Sequence, residues 1–193
     1  MARRKTRRWN TTGAVRPGGP ASPLLGLRYP LLVAAIAAPL FAIYCYPYAP
    51  DGVMAASIES YLSWYARLVS TVISVIDPQV VVHGNRIVGR LFSMQIVQTC
   101  DAMEVYILLA AAIVGFPMPL RRRVIAVLVS VMSLVIINVL RLCVLYWLGA
   151  HVPSWFNRTH ETLAPLFLVG CAVVSFLFAT SGTGKPLPAA RPR

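Results

Sequence analysis

Acidic side chains are scarce in this sequence. Of its 193 residues only 6 are Asp or Glu, against 18 Lys and Arg, and charged residues of all kinds reach 12%, half the ~25% of a soluble domain. A water-soluble fold of this length could not cover its surface with so few charges, which excludes an ordinary soluble enzyme or binding domain. Cysteine (4) and histidine (3) are few as well, too few for a disulfide framework or a zinc site of the usual spacing. The sequence contains no glycine-rich phosphate loop, serine-type triad or internal repeat, so it implies no cofactor and no metal. What it has in quantity is apolar surface. Hydrophobic residues make up 58% of the chain, in stretches that approach the ~20 residues needed to cross a bilayer. It reads as an integral membrane protein.

A net charge of +12 would suit a nucleic-acid partner, but the placement of the cations argues against one. Seven lie between Arg3 and Arg28, three are Arg121–Arg123, and three are Lys185, Arg191 and Arg193, with no acid in any of these segments. All six acids fall elsewhere, beside only five arginines. This division is the one expected when the acid-free segments face the cytoplasm. Residues 1–28 and 183–193 are accordingly expected to be cytoplasmic tails, the first basic and disordered, flanking a single membrane-embedded domain at 29–182.

Four spans are expected, at residues 30–48, 101–117, 124–148 and 162–180. The first ends in an aromatic belt of Tyr44, Tyr46 and Tyr48. Its length and the Pro50 after Ala49 make a poor signal peptide, so it is expected to be retained. Residues 54–76 are apolar but carry Glu59, Trp64 and Arg67. A fifth span there would put the arginine triplet and the C-terminus outside, so 54–76 is expected to be an interfacial helix on the outer surface. Residues 78–98 alternate and are β-branched around His83-Gly84-Asn85, which predicts a short extracytoplasmic β-hairpin. Pro117 and Pro119 end the second span, Gly149 ends the third, and Pro165 fits the first turn of the fourth. The expected fold class is thus an all-α polytopic membrane protein with four spans, an interfacial helix and a hairpin.

A few polar residues stand out against this background. Cys100 lies at the outer end of the second span, followed by Asp101, and Glu104 shares its face if the helix starts there. Asn138 and Arg141 are three apart on one face of the third span. Arg141 sits seven residues before Leu148, about 10 Å below the outer helix end, and an arginine at that depth is a functional candidate by default. His160, with Glu161 beside it, stands at the entrance to the fourth span. A thiol, an imidazole and a guanidinium meeting at one site would make a cysteine nucleophile, with the cation stabilising thiolate or oxyanion. Taken singly, each has a bland reading. Cys100 would pack, His160 would be an interfacial hydrogen-bonding residue like His83 and His151, and Arg141 would snorkel or pair with Glu104 or Asp101. Asn138 would join two helices. Arg121–Arg123 reads as a topology signal, and Asn157-Arg158-Thr159 as a chance sequon.

The order and setting of these residues resemble the exosortase/archaeosortase family of membrane cysteine transpeptidases. The matching stretches are Thr99-Cys100-Asp101-Ala102-Met103-Glu104-Val105, Phe116-Pro117 with Arg121-Arg122-Arg123, Asn138-Val139-Leu140-Arg141-Leu142, and Thr159-His160. Residues 97–180 look closest to the exosortase H type. One departure stands in the first stretch, where a glycine usual two residues after the Cys is Ala102.

The resemblance implies cleavage of a C-terminal sorting tail (motif, transmembrane helix, basic end) on exported proteins, through a thioester passed to an acceptor. It makes Cys100 the nucleophile, His160 the general acid/base and Arg141 the stabiliser, with Asn138 orienting Arg141. Helical spacing adds Glu104 as a partner for His160 or Arg141. The expected setting is the inner membrane, with the site on its outer face. Partners would be tail-bearing proteins and the bilayer, with no nucleic acid, and the acceptor is left open. Two non-catalytic alternatives stand beside this one: a scaffold held by an Arg141–Glu104 pair, and a binder of sorting tails.

Overall fold

The computed structural model describes residues 23–49 and 51–181; most of the two expected tails lies outside this range. Six α-helices and three short strands make up the described chain. They are α1 (Pro23–Cys45), α2 (Val53–Ile73), β1 (Val81–His83), β2 (Arg86–Val88), β3 (Ser93–Gln95), α3 (Met103–Gly115), α4 (Leu120–His151), α5 (Pro153–Arg158) and α6 (Ala164–Thr180). A π-helical turn, Thr159–Leu163, joins α5 to α6 without a break. Three helical stretches are long and apolar enough to cross a membrane: Leu27–Cys45, Leu120–His151 and Pro153–Thr180. Helix α3 is apolar but has only 13 residues.

Helix α4 organises the molecule. Its 32 residues extend about 48 Å and pass through two hydrophobic cores. Towards its C-terminus, Val139, Leu142, Leu145 and Tyr146 pack with α2 and the sheet residues Ile87 and Met94. Nearer its N-terminus, Leu134 meets Tyr106, Leu109 and Ile113 of α3 and Leu168 of α6. Helix α1 runs antiparallel to α3. The Tyr29 hydroxyl donates to Ala112 O near the end of α3 (2.9 Å), and the Tyr44 hydroxyl reaches Asp101 just before its start.

Residues 54–76 form an amphipathic helix, as their composition predicts. Leu62, Tyr65, Ala66, Val69 and Ile73 make one buried stripe at helical spacing, and it packs on α4 and the sheet. The expected hairpin is larger than anticipated. Strand β1 pairs with β2 around Gly84-Asn85, closing at His83↔Arg86, with Gly84 at φ +60° as a two-residue hairpin turn requires. A third strand, β3, then pairs with β2. The chain reverses again after Gly89, whose N–H donates to Phe92 O.

That second reversal is held by a buried carboxylate. Asp77 Oδ2 accepts from the Tyr146 hydroxyl at 2.6 Å and from Leu91 N at 3.1 Å. Its Oδ1 accepts from Gln79 N at 3.3 Å. A side chain at Gly89 would collide with the Tyr146 hydroxyl, so only glycine lets the loop close here.

At the opposite end of α4 the arginine triplet has a structural use. Arg123 Nη2 donates to Phe116 O and Met118 O, both at 3.2 Å. Arg122 Nη2 donates to Ala179 O at 3.3 Å. Two cations thus satisfy carbonyls at the C-terminal ends of α3 and α6, where the helix dipoles favour positive charge.

The Tyr146 hydrogen bond, with the Leu91 and Gln79 amides, holds the Asp77 carboxyl below its usual pKa. A depressed folded-state pKa contributes stability that is complete above the unfolded value, ~3.9, and is lost as pH falls through the folded one. Hydrogen exchange at Leu91, corrected for intrinsic rate, should therefore lose protection only below about pH 4. In Asp77→Asn that acid step should vanish, while protection at neutral pH is already reduced.

Candidate active site

The segment preceding α3 carries Cys100 into the seam between the two cores. Cys100 belongs to the core beneath the sheet and Ala102 to the helical one, with Asp101 fully buried between them. The segment is tied down on three sides. Cys100 N donates to Val97 O at 2.8 Å, closing a tight turn. Gln98 Nε2 donates to Tyr44 O at 3.0 Å, and the Tyr44 hydroxyl also holds Asp101 Oδ2. The other Asp101 oxygen accepts from Met103 N at 3.0 Å, satisfying one of the free amides that open α3.

Asn138 on α4 is the hub. Its Nδ2 donates to Cys100 O at 3.0 Å and to the Tyr65 hydroxyl of α2 at 2.8 Å. Its Oδ1 accepts from Arg141 Nη1 at 3.1 Å. A guanidinium only donates and a backbone carbonyl only accepts, so these partners fix the orientation of the amide. Spacing of three residues puts Asn138 and Arg141 on one helix face, as the sequence predicts. Arg141 lies ten residues before the helix end at His151 rather than seven before Leu148, which is about 15 Å. It is buried by the protein itself, at 8% exposure, and its Nε has no hydrogen-bond partner. Its charge lies within electrostatic reach of the Cys100 thiol and the His160 ring.

His160 arrives from the other side. Its Nε2 is 3.4 Å from Cys100 Sγ, within hydrogen-bonding distance for sulfur. Its ring stacks on Phe156 at a centroid distance of 5.7 Å and 17° between planes. It does not stand at the mouth of a helix as expected, because the helix runs on from Pro153. It sits in the π-helical turn, where Ala164 N–H reaches back five residues to Thr159 O. The physical reason follows in the sequence. Pro165 has no N–H and its ring would clash with the carbonyl four residues back, so the turn before it widens.

Cys100, Arg141 and His160 therefore converge, with Asn138 and Asp101 bracing them. Glu104 does not join them. The helix starts at Met103, not at Cys100, so the four-residue spacing does not place the two side chains on one face. Glu104 turns instead to α1, where Cys45 Sγ lies 3.9 Å from its Oε1. Among the described residues it makes no hydrogen bond to His160 or Arg141, and no ion pair forms between Arg141 and either acid. His151 stacks on Trp147 and His83 ends β1, both away from the thiol. The sequence reading missed Tyr65 and Tyr44. A hydroxyl on the otherwise apolar stripe of α2 was the available signal for the first; the second was read as an interfacial aromatic.

Ala102 takes the left-handed conformation, φ 62° and ψ 20°, the only non-glycine among the described residues at positive φ. The turn carrying the nucleophile candidate thus has a glycine backbone with an alanine in it, at a cost of about 1 kcal/mol. Ala102→Gly should raise stability by about 0.5–1 kcal/mol in thermal unfolding, the released strain being partly offset by unfolded-state entropy. Ala102→Val, with a β-branched side chain, should lower it by more than that.

A family model for transmembrane exosortases of the EpsH type matches residues 23–178. No curated protein and no solved structure matches the chain. The matched segment takes in most of the sequence and every residue of the cluster just described, and the chain belongs to the transmembrane exosortase family.

Proposed function

We propose that this protein is a membrane-embedded cysteine transpeptidase acting on C-terminal sorting tails of exported proteins. The observation that carries the reading is the 3.4 Å approach of Cys100 Sγ to His160 Nε2 beside a buried arginine with an unused donor. In the first half-reaction the Cys100 thiolate attacks the scissile carbonyl carbon. The developing oxyanion is stabilised by Arg141, and His160 gives its proton to the departing amine as the C–N bond breaks. The product is a thioester on Cys100. In the second half-reaction His160 takes the proton of an incoming acceptor, which attacks the thioester carbon and releases Sγ. Asn138 is a positioning residue that holds Arg141 and the Cys100 carbonyl in one frame. Tyr65 extends that frame to α2.

In this reading α1, α3, α4 and the continuous α5–α6 are the four spans. Both termini and Arg121–Arg123 lie inside, and the sheet, α2 and the cysteine lie outside. The membrane is the bacterial inner membrane. The thirteen residues of α3 reach about 20 Å, short of the ~30 Å hydrocarbon layer. The segment carrying Cys100 consequently dips below the outer surface. Irregular backbone is tolerated at that depth because protein, not lipid, surrounds it. A substrate anchored by its own helix would present its motif at the level where that helix ends.

A thioester is cleaved by neutral hydroxylamine, so wild-type protein isolated from its own membranes should carry a hydroxylamine-sensitive adduct on Cys100. Cys100→Ala should carry none. Arg141→Lys should reduce the adduct at least tenfold, since a point charge cannot both bond Asn138 and meet the oxyanion as the planar guanidinium does. A wild-type protein without any such adduct, in cells that process tails, would contradict the mechanism.

A further inference from the structure

Two apolar grooves of about 400 Å3 each flank the cysteine site. One lies between α1, α3 and α6 and has Phe41, Leu108 and Val173 in its walls, with Glu104 as its charged group. The other lies between α4 and the helix that follows it. Ile137, Leu140 and Val144 form one wall, Leu163, Ala164 and Phe167 the other, and Arg141 interrupts the first. Its lining also includes Thr159, the residue before His160. Leu140, Val144, Leu163 and Phe167 are each about half exposed, so this groove opens sideways toward lipid.

We infer that the α4–α6 groove seats the transmembrane helix of the acyl donor, with the scissile carbonyl delivered to Arg141. The inference rests on the transpeptidase reading and adds to it the surface that holds the substrate. Three observations favour this groove and this occupant. Of the two, it is the groove whose lining includes a member of the Cys100–Arg141–His160 cluster. Its walls are apolar, yet it contains a guanidinium nine-tenths buried whose Nε lacks a partner. Such a donor calls for an occupant that brings an oxygen on an otherwise hydrophobic body. The Glu104 groove offers the opposite charge, and a carboxylate repels a developing oxyanion.

Geometry then selects a helix. A polypeptide leaving Cys100 into lipid must satisfy its own backbone hydrogen bonds, so it is helical from that point. From Val144 to Ile137 the groove spans about 10 Å along α4, enough for the side chains of two helical turns to enter as a ridge. Ala164 at its base leaves room for that approach.

The test uses the full-length Cys100→Ala protein in native membranes, so that uncleaved donor accumulates. A photoreactive benzophenone side chain replaces Leu140 or Phe167 in one pair of variants, and Leu108 or Val173 in another. Irradiation at Leu140 and Phe167 should trap polypeptides through a C-terminal apolar segment that they lose in cells with intact Cys100. Leu108 and Val173 should not. With Cys100 intact, Leu140→Trp should reduce tail processing at least fivefold, and Leu108→Trp should leave it within twofold. Adducts at Leu140 and Phe167 to phospholipid alone, trapping of the same tails from Leu108 and Val173 instead, or normal processing by Leu140→Trp would each overturn the inference while leaving Cys100-dependent cleavage intact. Identical C-termini with and without Cys100 would instead remove the transpeptidase reading, and the groove assignment with it.

Discussion

Burying an arginine among membrane-embedded helices is the constraint from which the rest of this structure can be understood. Arg141 is tolerated because protein encloses it and one arm of its guanidinium bonds to Asn138. A buried charge without such partners would be strongly unfavourable. Asn138 then uses both of its amide hydrogens on neighbours that are far away in sequence, the carbonyl of Cys100 and the hydroxyl of Tyr65. One side chain thereby fixes the cation, the backbone at the thiol and the amphipathic helix α2 relative to each other. Loss of Asn138 would leave a buried cation and a buried carbonyl short of partners at the same moment.

Two local departures from regular helix bring the thiol and the imidazole to that frame. Before α3 the chain is irregular, with Ala102 in a left-handed turn and Asp101 taking up the first free amide, so Cys100 is presented from a turn rather than from a helix face. On the far side Pro165 forces a widened turn, and His160 lies on it. Irregular backbone at functional positions is where a chain departs from local preference, and both departures here fall within one residue or two of a reacting group. The sheet and the Asp77–Tyr146 anchor cover this end of α4, so the cluster is enclosed by protein above and by helices on its flanks.

Much of this was legible in the sequence, and what was not has a physical reason. Apolar runs located the long helices, although α4 and the α5–α6 stretch extend beyond the runs because polar ends continue a helix that packing supports. The stripe on α2 and the glycine turn after His83 were readable from period and turn chemistry. The third strand was not, since three residues between two reversals carry too short an alternation. Asn138 and Arg141 could be paired from spacing alone because both lie within one regular helix. The contact of Cys100 with His160 spans sixty residues and three packed elements, which no local pattern encodes. Glu104 was misplaced because the spacing argument assumed a helix beginning at Cys100. Tyr65 was overlooked because a tyrosine on a buried stripe reads first as packing.

The central claim is that Cys100 forms and passes on an acyl group taken from exported proteins. C-terminal peptide mass spectrometry on the envelope proteome, comparing wild type with Cys100→Ala at matched expression, tests it most directly. The account predicts a set of proteins that lack their hydrophobic C-terminal segments only in the wild type, each ending in the mass of a common acceptor. Unchanged C-termini throughout the envelope, with both proteins present at equal levels, would contradict it.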